Sequence, residues 1–314
     1  MSATSRRAPV VSIGNLAMGG RGKTPVAALV ARLLLAAGEK PAILSRGYRR
    51  RHPVDGVVIV SDGQHLVADL DRSGDEPLLM ARLAPGAAVL VHEQRAMAAA
   101  VAERVIGSTV HVLDDGFQHT SLIRDIDIVI VTPDDLAGRR LPLGRLRSPV
   151  SALANADAVI VDGGSGGADL DVGRIRRVVS ERTRIFHLER ALGTPAPLEP
   201  ERSAPGGSAR VVAFAGIAGP DRFGEALRRS GWDVARLVAF PDHHRYERKD
   251  LDRIAAVVEA TGADGALTTE KDAMRLLRLR PLPVPIASIP LEVNVAPPTE
   301  FRDWLVARVR EVRG

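Results

Sequence analysis

An α/β fold, with a mostly parallel sheet flanked by helices and a second, smaller α/β lobe after it, is what this sequence predicts. Three observations carry the prediction. From residue 9 to about 162, short apolar runs alternate with helical patterns, the order expected of βαβ units. Aromatic residues make up only 3% of a chain that is 45% hydrophobic, so its core must come from Val, Leu, Ile and Ala, as in buried parallel strands and their covering helices. After a polar, proline-rich stretch at about 191–208, the same alternation resumes.

The first strand, 9–14, runs into a glycine-rich turn, and an apolar helix over 23–38 opens directly behind it. A second strand over 40–45 follows. Val57 to Val60, the turn Ser61-Asp62-Gly63-Gln64 and Leu66-Val67 read as a hairpin insert. Ser73-Gly74-Asp75-Glu76-Pro77 opens a helix over 75–84, with Ser73 or Asp75 suited to cap it. Strands at 87–91, 109–114, 126–132 and 157–161 alternate with helices at 93–105 and 148–155. Gly163 to Gly167 is a surface break. The second lobe begins with the strand from Val211 to Gly216 and continues through strands at 233–239, 264–268 and 284–288. The expected division is a core over 1–182, a linker over 183–209 and a smaller lobe over 210–314, whose last helix is free to pack back on the core.

Cysteine is absent from the 314 residues, which excludes disulfides, thiol chemistry and Cys-ligated metals and fits a cytosolic protein. The net charge of +5 points to polyanionic partners: phosphates, nucleic acid or an anionic membrane surface. The densest basic runs are Arg46, Arg49, Arg50 and Arg51, then Arg139, Arg140, Arg145 and Arg147. Apart from Tyr48 no aromatic residue interleaves with them, too few for base stacking, so nucleic acid is not the expected partner. The sequence shows no signal peptide, and its longest apolar run, 26–37, is interrupted by Arg32.

The turn after the first strand has the layout of a phosphate-binding P-loop, which makes the fold P-loop NTPase-like. Asn15, Gly19, Gly20, Arg21, Gly22, Lys23, Thr24 and Pro25 form the nucleotide cradle. Backbone N–H groups and the helix N-terminus hold the phosphates, Lys23 reaches the β/γ oxygens and Thr24 ligates Mg²⁺. One position is off-pattern, since Ala17 stands where the first glycine of the motif belongs. The strand ending in Asp114-Asp115-Gly116 has the form of a Walker B element, whose carboxylates face the P-loop and its Mg²⁺; it is also a common turn sequence. Asp75, at a helix start, is a candidate general base, and one imidazole of the loop Phe240 to Tyr246 a candidate helper. Arg46 with Tyr48, and Arg145 with Arg147, are candidate phosphate clamps.

Taken in order, these motifs resemble the tetraacyldisaccharide 4′-kinase (lipid A 4′-kinase) family. The residues that carry the resemblance are Gly14-Asn15-Leu16 with Gly19 to Pro25, Leu44 to Tyr48, Gly74 to Pro77, Asp114 to His119 with Arg124-Asp125, Leu141 to Arg147, Phe240 to His244 and Thr268 to Asp272. The resemblance implies transfer of the γ-phosphoryl of ATP to the 4′-hydroxyl of a tetraacylated glucosamine disaccharide 1-phosphate. It further implies Lys23 on the phosphates, Thr24, Asp114 and Asp115 around Mg²⁺, and Asp75 as base assisted by His243. Arg46, Tyr48, Gln118, His119 and Arg147 are implied on the substrate side. The family often carries an acidic residue after that arginine, where this chain has Ser148. Its members also carry an amphipathic segment ahead of the P-loop. Here the first strand begins near residue 9, so the expectation is either a further upstream segment or an approach through the arginine clusters and the helix at 93–105. The implied partners are an acylated disaccharide lipid and the cytosolic face of the inner membrane, met peripherally. The competing expectation is a soluble P-loop ATPase or GTPase of switch or metallochaperone type, to which Thr269-Glu270-Lys271-Asp272 comes within one residue of a guanine-reading motif.

Overall fold

The computed structural model describes residues 7–18, 22–47, 50, 55–119, 121–163, 172–207 and 209–314. Two compact units are present: Met1–Glu189 with Val293–Gly314, and Arg190–Glu292.

The first unit is built from β1 (Val10–Asn15), α1 (Lys23–Ala36), β2 (Pro41–Ser45), β3 (Val58–Asp62), α2 (Leu70–Ser73), α3 (Asp75–Leu83), β4 (Ala88–Val91) and α4 (Arg95–Val101). It continues with β5 (Val110–Asp114), β6 (Ile126–Val131), α5 (Pro133–Ala137), β7 (Ala158–Val161), α6 (Val172–Arg176) and β8 (Arg184–Leu192). The second contains β9 (Ala196–Pro197), β10 (Arg210–Ala215), α7 (Pro220–Arg229), β11 (Asp233–Ala239), α8 (Arg248–Thr261), β12 (Gly265–Thr269), α9 (Glu270–Leu276) and β13 (Ile286–Ile289). β14 (Leu291–Ala296) leads back into the first unit, which α10 (Pro298–Arg313) closes.

Among the described residues the larger sheet runs β14-β8-β7-β6-β1-β5-β2-β4-β3. Its strands from β4 through β2, β5, β1, β6 and β7 to β8 pair in parallel, and the β3 edge is antiparallel to β4. The central strands are wholly buried, as the run of Val, Ile, Leu and Ala requires. β1 lies between β5 and β6, and the chain leaves it toward β2 on one side while β6 and β7 extend the other. That reversal of strand order makes the carboxyl end of β1 the place where ligands bind in open α/β sheets. The register sets Ile13 beside Asp114, so the Asp-Asp pair ends next to the P-loop. Gly14 is required there, because a Cβ at that position would lie 2.3 Å from the Phe117 Cβ.

The second unit carries a five-stranded sheet, β11-β10-β12-β13-β9, parallel except for the short β9. Its core gathers Val211, Ala213, Ala215, Leu227 and Leu267.

Several elements differ from expectation, each for a local reason. The stretch expected as a linker over 183–209 holds β8, whose residues 184–187 pair with β7, and β9. The boundary between compact units therefore falls inside β8 and again before Val293, and α10 belongs to the first unit. There its Phe301 and Trp304 rings meet Phe186 at 5.1 and 5.7 Å, and Arg313 bonds Glu39 at 2.6 Å. The helix expected over 93–105 is α-helical only to Val101, then widens into a π turn over Ala102–Ile106 ended by Gly107 at φ 72°. That turn brings Glu103 within 3.0 Å of the buried His111 Nε2. The helix expected at 148–155 is a 3₁₀ turn over Val150–Asn155. The hairpin insert reduces to β3 and one bridge, Ser61 to Leu66.

Candidate active site

The site lies at the carboxyl edge of the larger sheet, where three loops converge. The first leaves β1 at Asn15 and enters α1 through Gly22, which sits at φ 76° and so takes the left-handed turn a side chain would resist. Lys23, Thr24 and Pro25 form the first turn of α1 and are half-buried. Gly19, Gly20 and Arg21, expected in the cradle, lie outside the described residues, as does Tyr48. Ala17 is fully buried and bridges to Leu146, which explains the missing glycine: the loop packs into the core at that point.

The second loop follows β5. Asp115 has a φ of 55° and turns its carboxylate to two cations. Arg147 holds it with both terminal nitrogens, at 2.9 and 3.1 Å, and Lys23 Nζ stands 3.5 Å away. Asn15 Oδ1 accepts from the same two cations, Lys23 at 3.1 Å and Arg147 at 3.0 Å. Burial opposes ionisation of Asp115, yet the Arg147 hydrogen bonds and the Lys23 charge prevail and hold its pKa below the ordinary value. Asp114 behaves oppositely. It is buried, its Oδ1 has no hydrogen-bond partner, and burial with the charges of Glu76 and Asp115 pushes its pKa up to about 7. The pKa values of two adjacent carboxyls are thus shifted in opposite directions, because one is hydrogen-bonded to a cation and the other is more deeply buried beside two further carboxylates.

The third group comes from α3 and α4. Asp75 is buried at the start of α3, after Gly74 at φ 86°, and its Oδ1 accepts from the Glu76 backbone N–H at 3.0 Å. Arg95 is buried at the start of α4, where burial lowers its pKa while the charges of Asp114 and Asp115 raise it. His119 is held below its ordinary pKa by burial and by the nearby charges of Arg95, Arg124 and Arg46. Gln118 donates to the Asn15 carbonyl at 2.7 Å and to Ser148 Oγ at 3.2 Å, and its Oε1 is buried without a partner.

The structure therefore brings Asn15, Lys23, Asp115 and Arg147 into one hydrogen-bonded group, with Asp114, Glu76 and Arg95 close enough to interact with it electrostatically and Arg46 and His119 within the field of Arg95. Two members went unremarked in the sequence. Glu76 looked like a helix-start residue beside Asp75, and Arg95 looked like one more surface arginine. The signal for Arg95 was its place just past a strand on the same sheet edge.

His243 belongs to the second unit. It adopts φ 61°, its N–H donates to the Gly216 carbonyl at 3.0 Å, and its Nε2 is 3.3 Å from Lys271 Nζ. Below it Asp272, fully buried, accepts from Tyr246 OH at 3.0 Å, Gly216 N at 3.1 Å, Thr269 Oγ1 at 2.7 Å and Arg275 at 2.9 Å. The Thr269 to Asp272 segment that resembled a guanine-reading motif thus has its aspartate enclosed in the fold. His244 packs its ring on Phe240 at 4.7 Å and bonds Asp250 at 3.0 Å, a structural position.

The chain as a whole is similar to known proteins. The family model described as tetraacyldisaccharide-1-P 4′-kinase matches residues 1–310. A tetraacyldisaccharide 4′-kinase of Syntrophus aciditrophicus is 36% identical, over 96% of this chain and 84% of its own length. One from Anaeromyxobacter sp. (strain Fw109-5) is 40% identical over 87% and 74% respectively. A crystal structure of LpxK from Aquifex aeolicus in complex with ATP superposes with a TM-score of 0.75 at 29% identity, covering 96% of this chain and 88% of that one.

Proposed function

The chain belongs to the tetraacyldisaccharide-1-P 4′-kinase family, and from that premise we propose that it transfers the γ-phosphoryl of ATP to the 4′-hydroxyl of a tetraacylated glucosamine disaccharide 1-phosphate. The observation that carries the reading is the convergence of Lys23 and Arg147 on Asp115 and Asn15, beside the buried Asp114. The match over residues 1–310 sets aside the soluble switch or metallochaperone ATPase.

Phosphoryl transfer asks a protein for positioning and charge neutralisation more than for covalent chemistry. Lys23 and Arg147 provide cations at the phosphate-binding edge, and the α1 N-terminus adds its dipole. Asp75 receives the proton of the attacking hydroxyl, and His243 assists it. Arg46 and Arg95 add positive charge near this edge, suited to the anionic acceptor, and the same charges disfavour a protonated His119.

The residues fit a hard divalent cation. Asp114 Oδ1 is a buried oxygen without a protein partner, and carboxylate and hydroxyl oxygens are the ligands Mg²⁺ takes. Among the described residues no three His, Cys, Asp or Glu side chains gather into a metal cage, which agrees with an ion held largely by phosphate oxygens and water. Asp114, Thr24 and Asp115 would hold it. The ion supplies neutralisation of charge on the transferring phosphoryl group.

Asp114 must lose its proton to serve as a ligand, so Mg²⁺ affinity is expected to rise with pH, by about tenfold per unit below about 7, and then level off. The same raised pKa gives the metal-free fold a contribution that is present below about pH 4 and lost as pH rises through about 7. Asp114→Asn is expected to flatten both dependences. Mg²⁺ titration calorimetry with a non-hydrolysable ATP analogue, and melting curves without metal, read them at pH 5.5 to 8.

The function is tested by incubating the protein with γ-labelled ATP and the disaccharide lipid, against the same lipid already phosphorylated at the 4′ position. Label on the first and not on the second is the expected result. His243→Ala is expected to slow that transfer about 10²-fold with little change in ATP affinity. An unchanged rate removes His243 from the chemistry.

The acceptor is a lipid, so the protein works at a membrane surface, and we place that surface at the cytosolic face of the inner membrane. Among the described residues no helix is long and apolar enough to cross a membrane.

A further inference from the structure

Next to the phosphate-binding edge, residues 139–146 form a closed loop that the chemistry does not use. Leu141 N–H donates to the Leu146 carbonyl and Leu146 N–H to the Arg139 carbonyl, both at 3.0 Å. Leu146 is buried in the core cluster with Leu16, Ala17 and Phe117. A Cβ on Gly144 would lie 2.1 Å from the Arg139 carbonyl oxygen, so the close approach needs glycine. Met18 N–H bonds the Arg145 carbonyl at 2.9 Å and joins the loop to the segment after β1. The loop is therefore firmly built, with one leucine inside.

Its other leucines point outward. Leu143 is 81% exposed, Leu141 49% and Met18 51%. Around them Arg139, Arg140 and Arg145 are exposed, and residues 138–147 contain four arginines and no acid. Exposed apolar groups on a rigid loop, collared by cations, suit neither bulk water nor a neutral protein partner. They do suit the boundary between acyl chains and anionic headgroups, where leucines enter the apolar layer and guanidinium groups bond lipid phosphates.

We infer that the 139–146 loop, with Met18, is an interfacial anchor for a bilayer containing anionic phospholipid. This deepens the reading of the chain as a kinase of a membrane lipid and rests on it. The loop runs directly into Arg147, so docking its tip brings the cations of the phosphate site to the plane in which the acceptor's sugar lies.

The absence of cysteine makes the test direct. Leu143→Cys carries an environment-sensitive NBD label, and Ile123→Cys, at a site 72% exposed near the opposite sheet edge where Asp125 meets Val10, carries the control. Vesicles of phosphatidylethanolamine with phosphatidylglycerol are expected to raise and blue-shift emission at 143 and leave 123 unchanged. Phosphatidylcholine vesicles or high salt are expected to abolish the response. Leu141→Ser with Leu143→Ser is expected to weaken vesicle binding about tenfold or more, with transfer to a detergent-dispersed acceptor intact. No shift at 143, an equal shift at 123, or a protein-concentration-dependent shift without vesicles, the sign of a second copy on the loop, overturns the anchor. If Leu143→Cys does not fold, Leu141→Cys reports the same tip. A normal label response from a protein that transfers no phosphoryl group fails the kinase reading and not the anchor. Transfer without a label response does the reverse.

Discussion

Asp75→Asn is expected to lower kcat for phosphoryl transfer by about 10²–10⁴-fold while ATP affinity stays near that of the unchanged protein. A sugar hydroxyl is a weak nucleophile at neutral pH, so removing its proton in the transition state is where a carboxylate contributes. Asparagine has the same shape, and its carbonyl oxygen still accepts from the Glu76 N–H, the bond Asp75 makes at 3.0 Å. That bond at the start of α3 is thereby kept, and the loss is expected to fall on chemistry. Single-turnover transfer measured beside nucleotide binding separates the two. A variant that turns over normally removes Asp75 from the base role.

The second large effect is expected at Lys23. Lys23→Ala removes a cation from the phosphate edge, and the expected cost is about 10²–10³-fold in kcat with weakened ATP binding. The fold should tolerate the change, because Arg147 still engages both Asp115 and Asn15. Steady-state kinetics with a melting curve of each variant checks both parts. An ammonium contributing only to structure shows itself as a lowered melting temperature with kcat preserved.

Much of this site was legible because its residues follow one another at strand ends. Asn15 and Lys23 flank one glycine-rich turn, Asp114 and Asp115 close an apolar run, and Asp75 opens a helix after Gly74. Local pattern reports such positions well. The pieces that escaped depend on partners far away in the chain. β8 reads as charged linker, though Ile185 and Phe186 lie in a strand whose start is fixed by pairing with β7. β14 alternates Leu291, Val293 and Val295, a strand signal overlooked because it follows the last expected strand so closely. Arg95 could not be told from other arginines, since only folding buries it near Asp114. The opposite pKa shifts of Asp114 and Asp115 were likewise invisible, because adjacent identical residues differ only in what surrounds them.

The contact of Lys23 and Arg147 with Asp115 has one more consequence. Both cations are engaged by a carboxylate of the protein itself. A triphosphate arriving at this edge does not fall into an open well of positive charge; it competes for partners that are taken. Small anions with a single charge, which abound in any cell, offer no more than Asp115 does and gain little by replacing it. A ligand that carries several charges and arrives with its own cation offers more. Asp115 is then expected to work as a threshold, giving up some affinity so that the site answers to the nucleotide and ignores the background of lesser anions.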